Sequence, residues 1–278
     1  MVVFSHSRLS SFEQCKLKYK FRYIDKIIPD IEKTIESHLG SMVHDTLEWL
    51  YTRIKKNRIP TIDEVIVHYS ETWQENYEED IPIMRKNMTA KDYFNKGVQY
   101  LIDYYTKHKP FDDNTIAVEK HIIFDLDENG EHKIRGFIDR LVYNLKTNEY
   151  EIHDYKTSKF LPSQEVLDKD RQLALYSIAI KEIYGVEKKV ILVWHYLAHN
   201  KRIHSRRTDK QLNQLKEDTL DLIKEINSTR DFPPTKSPLC NWCEYKPICP
   251  AWGNKPPEKQ MNLKDYYESK GKKEDKEK

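Results

Sequence analysis

The sequence is short of glycine and cysteine, carries almost no net charge, and has no long apolar run. Only seven of 278 residues are glycine while 33% are charged, a balance that suits long solvated helices around a compact sheet. No stretch approaches the roughly 18 apolar residues of a membrane span. The opening MVVFSHSRLS also lacks the apolar segment of a secretion signal, so the expectation is a soluble, cytoplasmic protein with no membrane partner. Basic residues number 47 and acidic residues 45, a net charge of +2, so bulk charge does not advertise a polyanion ligand and any nucleic-acid surface must be local. The four cysteines are Cys15, Cys240, Cys243 and Cys249. A reducing compartment keeps them as thiols unless a metal claims them.

Against these absences one stretch is rich in chemistry. Residues 134–159 read IRGFIDRLVYNLKTNEYEIHDYKTSK, two alternating apolar and polar runs around a Lys-Thr-Asn-Glu turn, the pattern of a β-hairpin. On the second strand Asp154 and Lys156 are two residues apart, so a period of two points both side chains to one face, roughly 7 Å apart along the chain. Asp139 lies on the partner strand. Two carboxylates that could hold a divalent cation, beside an ammonium that could polarise water, suit metal-assisted hydrolysis.

The flanking segments offer partners for this hairpin. A helix is expected over residues 7–24, opened by a Ser10–Glu13 capping box, with Leu9, Phe12, Leu17 and Phe21 inward and Cys15 in its middle. After Gly40 an amphipathic stretch places His44, Leu47, Glu48 and Tyr51 on one face at helical spacing. Capping boxes at Thr61–Glu64 and Thr89–Asp92 open two more helices, giving a helical insertion over about residues 61–110, in which Lys86, Lys91 and Lys96 read as solvated charges. A β-rich run, 115–126, adds a third strand to the hairpin to make a meander; its Glu119 could face the metal or the solvent. A helix over 163–184, capped by Ser163, carries Gln172 and Tyr176 one turn apart, and a buried strand over 189–198 comes after it. A shorter strand, 202–208, and a helix from Asp209 to about Asn227 come next. The basic stretch HNKRIHSRRTDK between these strands reads either as a charged hairpin edge or as a phosphate contact.

The last three cysteines form C-x2-C-x5-C on a proline-rich loop, 232–252, and Cys15 supplies a distant fourth thiol. Four such ligands suit a tetrahedral zinc or a four-iron cluster, and either would clip the final loop to the first helix. The charged tail, 255–278, is expected to be disordered.

Taken as a set, these motifs resemble the PD-(D/E)XK nucleases, specifically the RecB-like branch with a four-cysteine iron–sulfur cluster. AddB-type helicase-nuclease subunits and CRISPR-associated iron–sulfur nucleases belong to that branch. GSMVHDTLE is similar to its histidine motif, GFIDR to its G-x-x-D-R motif, DYKTSK to its (D/E)-x-K-T motif and QLALY to its Q-x-x-x-Y motif. The resemblance implies an α/β, restriction-endonuclease-like core with a central mixed sheet flanked by helices, in one domain over residues 1–254. It implies that His44, Asp139, Asp154 and the Tyr155 carbonyl hold Mg²⁺ or Mn²⁺. A histidine ligand favours manganese. Lys156 would position or deprotonate water, with Gln172 and Tyr176 orienting it or the scissile strand. Cys15, Cys240, Cys243 and Cys249 would hold a 4Fe–4S cluster. The implied activity is a DNA nuclease, an exonuclease on single-stranded or frayed ends, in repair, recombination or CRISPR-type processing, with a helicase or other DNA-processing partner. The contrasting expectation is a non-catalytic nucleic-acid-binding module with structural Zn²⁺.

Overall fold

The computed structural model describes residues 2–29, 33–85 and 87–256. The expected disordered tail therefore lies, from residue 257 on, outside the described residues, as does Lys86. The elements in chain order are β1 (Val3–Ser5), α1 (His6–Gln14), α2 (Lys16–Tyr19), α3 (Ile35–Ile54), α4 (Ile62–Asn76), α5 (Ala90–His108), β2 (Thr115–Asp125), β3 (Lys133–Asn144) and β4 (Glu149–Lys156). They continue as α6 (Gln164–Leu167), α7 (Arg171–Tyr184), β5 (Val190–Tyr196), β6 (Lys201–Arg206) and α8 (Asp209–Ser228). The described residues form two compact units, one within 2–3 and 33–218, the other within 4–29 and 219–256. Among the described residues no helix is long and apolar enough to cross a membrane.

The first unit is built on a mixed sheet. β2, β3 and β4 form the expected antiparallel meander, with Ile122 opposite Gly136 and Arg140 opposite His153. Chain reversal through α7 makes β5 parallel to β4, with Asp154 opposite Trp194, and β6 returns antiparallel to β5. The β3–β4 ladder runs only from Asn144–Glu149 to Arg140–His153. Beyond it the two strands part, while β3 from Lys133 to Ile138 stays paired with β2. Asp139 and Asp154 are thus the first residues past the end of the ladder.

The three helices α3, α4 and α5 each open on a complete capping box, at Thr34–Ser37, Thr61–Glu64 and Thr89–Asp92, which satisfies backbone donors the helix leaves unpaired. They share one aromatic-rich core that includes Val43, Leu47 and Tyr51 of α3, Tyr69 and Trp73 of α4, and Leu101 and Tyr104 of α5. Close approach of α4 to α5 depends on Gly97, because a Cβ there would sit 2.0 Å from the Tyr69 hydroxyl oxygen. The Thr34 box starts α3 ahead of Gly40, which is an interior residue of the helix rather than the residue before it.

In the second unit the first helix is broken where a continuous one was expected. Ser5, not Ser10, caps α1 by accepting from the Arg8 amide at 3.2 Å, and Cys15 is extended (φ −163°, ψ 112°). After α2 the backbone widens into a π-helix over Lys20–Ile24. The break at Cys15 redirects the chain, so that Leu17 and Phe21 pack with Ile27, Tyr245 and Ile248 in a small core that Cys15, Cys243 and Cys249 also touch. A second break separates α6 from α7. Ser163 makes no side-chain cap, whereas Asp170 accepts from the Leu173 amide at 3.2 Å and restarts the helix. Asp168, between them, is drawn away by Ser205 Oγ at 2.5 Å.

Candidate active site

The divergence of β3 from β4 explains how the acids come together. Where the ladder stops, the Tyr155 amide has no strand partner and instead donates to Asp139 Oδ2 at 2.8 Å. The Tyr155 carbonyl lies 2.7 Å from His44 Nε2, and His44 Nδ1 lies 3.4 Å from Asp139 Oδ2. A histidine ring, a carboxylate and a main-chain carbonyl therefore converge on one side of the gap.

Asp154, only 3% exposed, and the half-buried Lys156 close the other side. Lys156 Nζ donates to Asp154 Oδ1 at 3.0 Å and to Gln172 Oε1 at 3.4 Å. It also lies 2.8 Å from Asp154 Oδ2, yet that oxygen has no donor in hydrogen-bonding geometry. A buried carboxylate oxygen without a directed donor is the kind of atom a cation satisfies. Burial works to lower the Lys156 pKa, but the Asp154 and Asp139 carboxylates outweigh it and hold the ammonium above the ordinary lysine value.

Tyr176, one turn from Gln172 on α7, hydrogen-bonds to the Gln172 side chain and to the Phe137 backbone. Its ring lies directly over Gly136. A Cβ at that glycine would come within 2.3 Å of the ring, so the glycine of GFIDR is what allows the tyrosine of QLALY to dock.

Glu119, left open between metal and solvent by its sequence, faces the acids. The β2–β3 register places it opposite Asp139, and its carboxylate, the His44 ring and the Asp139 carboxylate offer ligand atoms all within 4.8 Å of one another. Its φ of 40° is a left-handed conformation that a glutamate adopts only under constraint, and such strain concentrates at functional sites. These three residues, with Gly40, Ser41, Asp45 and Glu48, line an open cavity of about 410 Å³. Burial, then the neighbouring Asp139 carboxylate, pushes Glu119 up to about 7; burial, then Asp154, pushes Asp139 up to about 8. Carboxylates crowded in this way repel one another and retain protons unless a cation neutralises them. Two acids with raised pKa, a buried carboxylate oxygen without a directed donor and a converging imidazole are a donor set that fits a divalent metal. Among the described residues a second trio, Asp127, Glu131 and His132, could also hold an ion, but its bonds close the β2–β3 turn: Asp127 Oδ1 accepts from the Glu131 amide at 2.9 Å, and Oδ2 lies 2.5 Å from His132 Nδ1.

Behind the site a buried polar network fixes β3 against β4. Arg140, 1% exposed, donates to Tyr155 Oη and Thr115 Oγ1, each at 3.0 Å, to His153 Nδ1 at 2.8 Å, and to Asp113. Because arginine can only donate, His153 carries its proton on Nε2, which donates to Glu151 Oε2 at 3.1 Å. Burial first, and Arg140 second, hold His153 neutral.

Paired acids and a lysine at the parting of two sheet strands, beside an imidazole, suit metal-assisted hydrolysis. The chain belongs to the PD-(D/E)XK nuclease superfamily, whose profile matches residues 3–250. Its mixed sheet flanked by helices is the restriction-endonuclease-like fold. Among solved structures, the chain is similar to a candidate exonuclease from Eubacterium rectale, with 14% identity over 95% of this chain and 92% of that one and a TM-score of 0.49. It is also similar to SSO0001, with 17% identity over 78% of this chain and 95% of that one and a TM-score of 0.35. No curated protein gives a significant match.

Proposed function

We propose that this nuclease is a divalent-metal-dependent deoxyribonuclease that acts as an exonuclease on single-stranded or frayed DNA ends. The observation that carries the reading is the convergence of His44, Asp139, Asp154, Lys156 and the Tyr155 carbonyl where β3 and β4 part. His44, Asp139, Asp154 and the Tyr155 carbonyl hold Mg²⁺ or Mn²⁺ in this reading, with Glu119 close enough to add a carboxylate. When bound, the cation supplies Lewis acidity, lowering the pKa of water and neutralising charge on the phosphate. Lys156, held as a cation by two carboxylates, orients the attacking water and stabilises negative charge on the phosphate oxygens. Gln172 fixes the Lys156 ammonium through its Oε1, and Tyr176 fixes Gln172. The expected result is that linear single-stranded DNA is degraded from an end in Mn²⁺ while a closed circle of the same sequence survives; rapid cutting of the circle would replace the exonuclease reading with an endonuclease.

The cysteines belong to the same proposal as a 4Fe–4S site. Cys15, Cys240, Cys243 and Cys249 all line one cavity of about 50 Å³ in the second unit. Backbone amides already point at the sulfurs, from Thr235 to Cys15 and from Ser237 to Cys240, each at 3.4 Å, which suits thiolate ligands. Without a metal, burial raises the Cys243 and Cys249 pKa values and disfavours those thiolates. Protein purified without oxygen is expected to be brown, with broad absorption near ~400 nm and about four irons per chain. Colourless protein with stoichiometric zinc would assign the site to Zn²⁺ instead.

A further inference from the structure

With a net charge of only +2, the chain must concentrate any contact to a polyanion in a local patch. The most basic stretch of the sequence does not provide it. Arg202 pairs with Glu151 at 2.7 Å and Arg206 with Glu149 at 3.1 Å, while Arg207 spends its donors on the carbonyls of Leu167 and Asp170. The arginines of that stretch are neutralised or used within the fold, as at a protected sheet edge.

Among the described residues a different set of cations makes no ion pair within 4 Å. Lys96 on α5, Lys159 on the loop after β4 and Arg85 on the loop before α5 come together in the first unit. Lys96 Nζ lies 4.6 Å from the centre of the Tyr93 ring and donates to Met88 Sδ at 3.1 Å, so the ammonium is held in place rather than left to the solvent. Met88 is itself fixed by a turn in which its amide donates to the Arg85 carbonyl at 3.1 Å. The Lys159 ammonium lies within hydrogen-bonding reach of Lys96, and two ammonium groups have no proton acceptor to share. The carboxylates nearby have other donors: Asp92 is engaged in the α5 cap through the Thr89 amide and hydroxyl, at 2.7 and 2.8 Å, and Glu36 accepts from the Tyr93 hydroxyl. Like charges brought this close repel unless an anion lies between them, and partial burial, then Lys159 and Arg85, lower the Lys96 pKa accordingly.

The backbone that carries Lys96 and Lys159 borders the metal cavity. A Cβ on Gly97, next to Lys96, would lie 3.0 Å from Leu39 Cδ1, and a Cβ on Gly40, next to Leu39, would lie 3.3 Å from Thr157 Oγ1. Gly40 lines the cavity with His44, Glu119 and Asp139, while Thr157 joins Lys156 to the loop that carries Lys159. A strand with its scissile phosphate at the acids would therefore run past the cations.

We propose that Arg85, Lys96 and Lys159 form a phosphate-binding subsite that holds a backbone phosphodiester of the DNA strand beside the one being cut. This inference rests on the nuclease reading and gives the helical insertion a role in substrate binding. Lys96 then differs from Lys91 on the same helix, which is exposed and makes no such contacts among the described residues.

Fluorescence anisotropy of an end-labelled single-stranded oligonucleotide, in buffer without added divalent ion so that nothing is cut, tests it across a salt series. Each lost phosphate contact on a single strand should flatten the slope of log K against log salt by about 0.7, which is about a fivefold loss of affinity at 0.1 M salt. Lys159→Gln is expected to lose one contact and the Lys96→Gln/Lys159→Gln pair two, while Lys91→Gln behaves as wild type. Lys159 is exposed on its loop, so its single variant remains decisive if the pair folds poorly. Wild-type slope and affinity in Lys159→Gln and in the folded pair would overturn the subsite while leaving the nuclease reading in place. Wild-type protein that neither binds the oligonucleotide nor cuts it with Mn²⁺ would overturn both.

Discussion

Asp154→Ala and Lys156→Ala are each expected to reduce cleavage to below a few per cent of wild type while the fold survives. The two side chains fail for different reasons. Asp154 is buried, and its Oδ2 lacks a directed donor, so its removal takes away a cation-binding oxygen and leaves the Lys156 ammonium without its nearest counter-charge. Lys156→Ala leaves the acids in place but removes the donor that lies between Asp154 and Gln172. Loss of one group aimed at developing charge costs on the order of 10²–10³ in kcat. Rates measured at saturating DNA, with circular dichroism to verify folding, provide the check. Either variant folded and retaining more than a few per cent of wild-type kcat would remove it from the chemistry.

Replacement of Arg140 by leucine is expected to destabilise the first unit by about 3–5 kcal/mol, the usual cost of deleting one member of a buried charged network. Leucine would restore apolar volume but none of the hydrogen bonds. Tyr155 Oη, Thr115 Oγ1 and His153 Nδ1 would each lose a donor in the interior, and Asp113 would lose its cation. Since Arg140 joins β3 to Tyr155 of β4, the same change should loosen the end of the ladder from which Asp139 and Asp154 emerge. Urea unfolding would register the loss as a lower midpoint, and a change below about 1 kcal/mol would mean that the network contributes little.

Much of the site is legible in the sequence because it depends on local periodicity. The period of two in a strand puts Asp154 and Lys156 together, and the helical period puts Gln172 and Tyr176 on one side of α7 and His44 on the inner face of α3. The capping boxes of α4 and α5 are equally local, and both form as written. What escapes the sequence is set by partners distant along the chain. The parting of β3 from β4 at Asp139 is a property of pairing register, which alternation alone does not reveal. Glu119 depends on the same register and on a positive φ that its residue type does not announce. Cys15 breaks its helix where capping signals predict continuity, and Asp170, a second cap inside an apparently continuous helix, divides α6 from α7. Lys96 looks like any solvated lysine until Lys159, from beyond the β4 strand, is brought against it.

The central claim is that His44, Asp139, Asp154 and the Tyr155 carbonyl hold a divalent cation on which cleavage depends. Cleavage of linear single-stranded DNA by the wild-type protein, in EDTA and then after Mn²⁺ is restored, tests it most directly. Cleavage should vanish in EDTA, return with Mn²⁺, and fail to return in Asp139→Asn. Undiminished cleavage in EDTA, or full recovery in that variant, would contradict it.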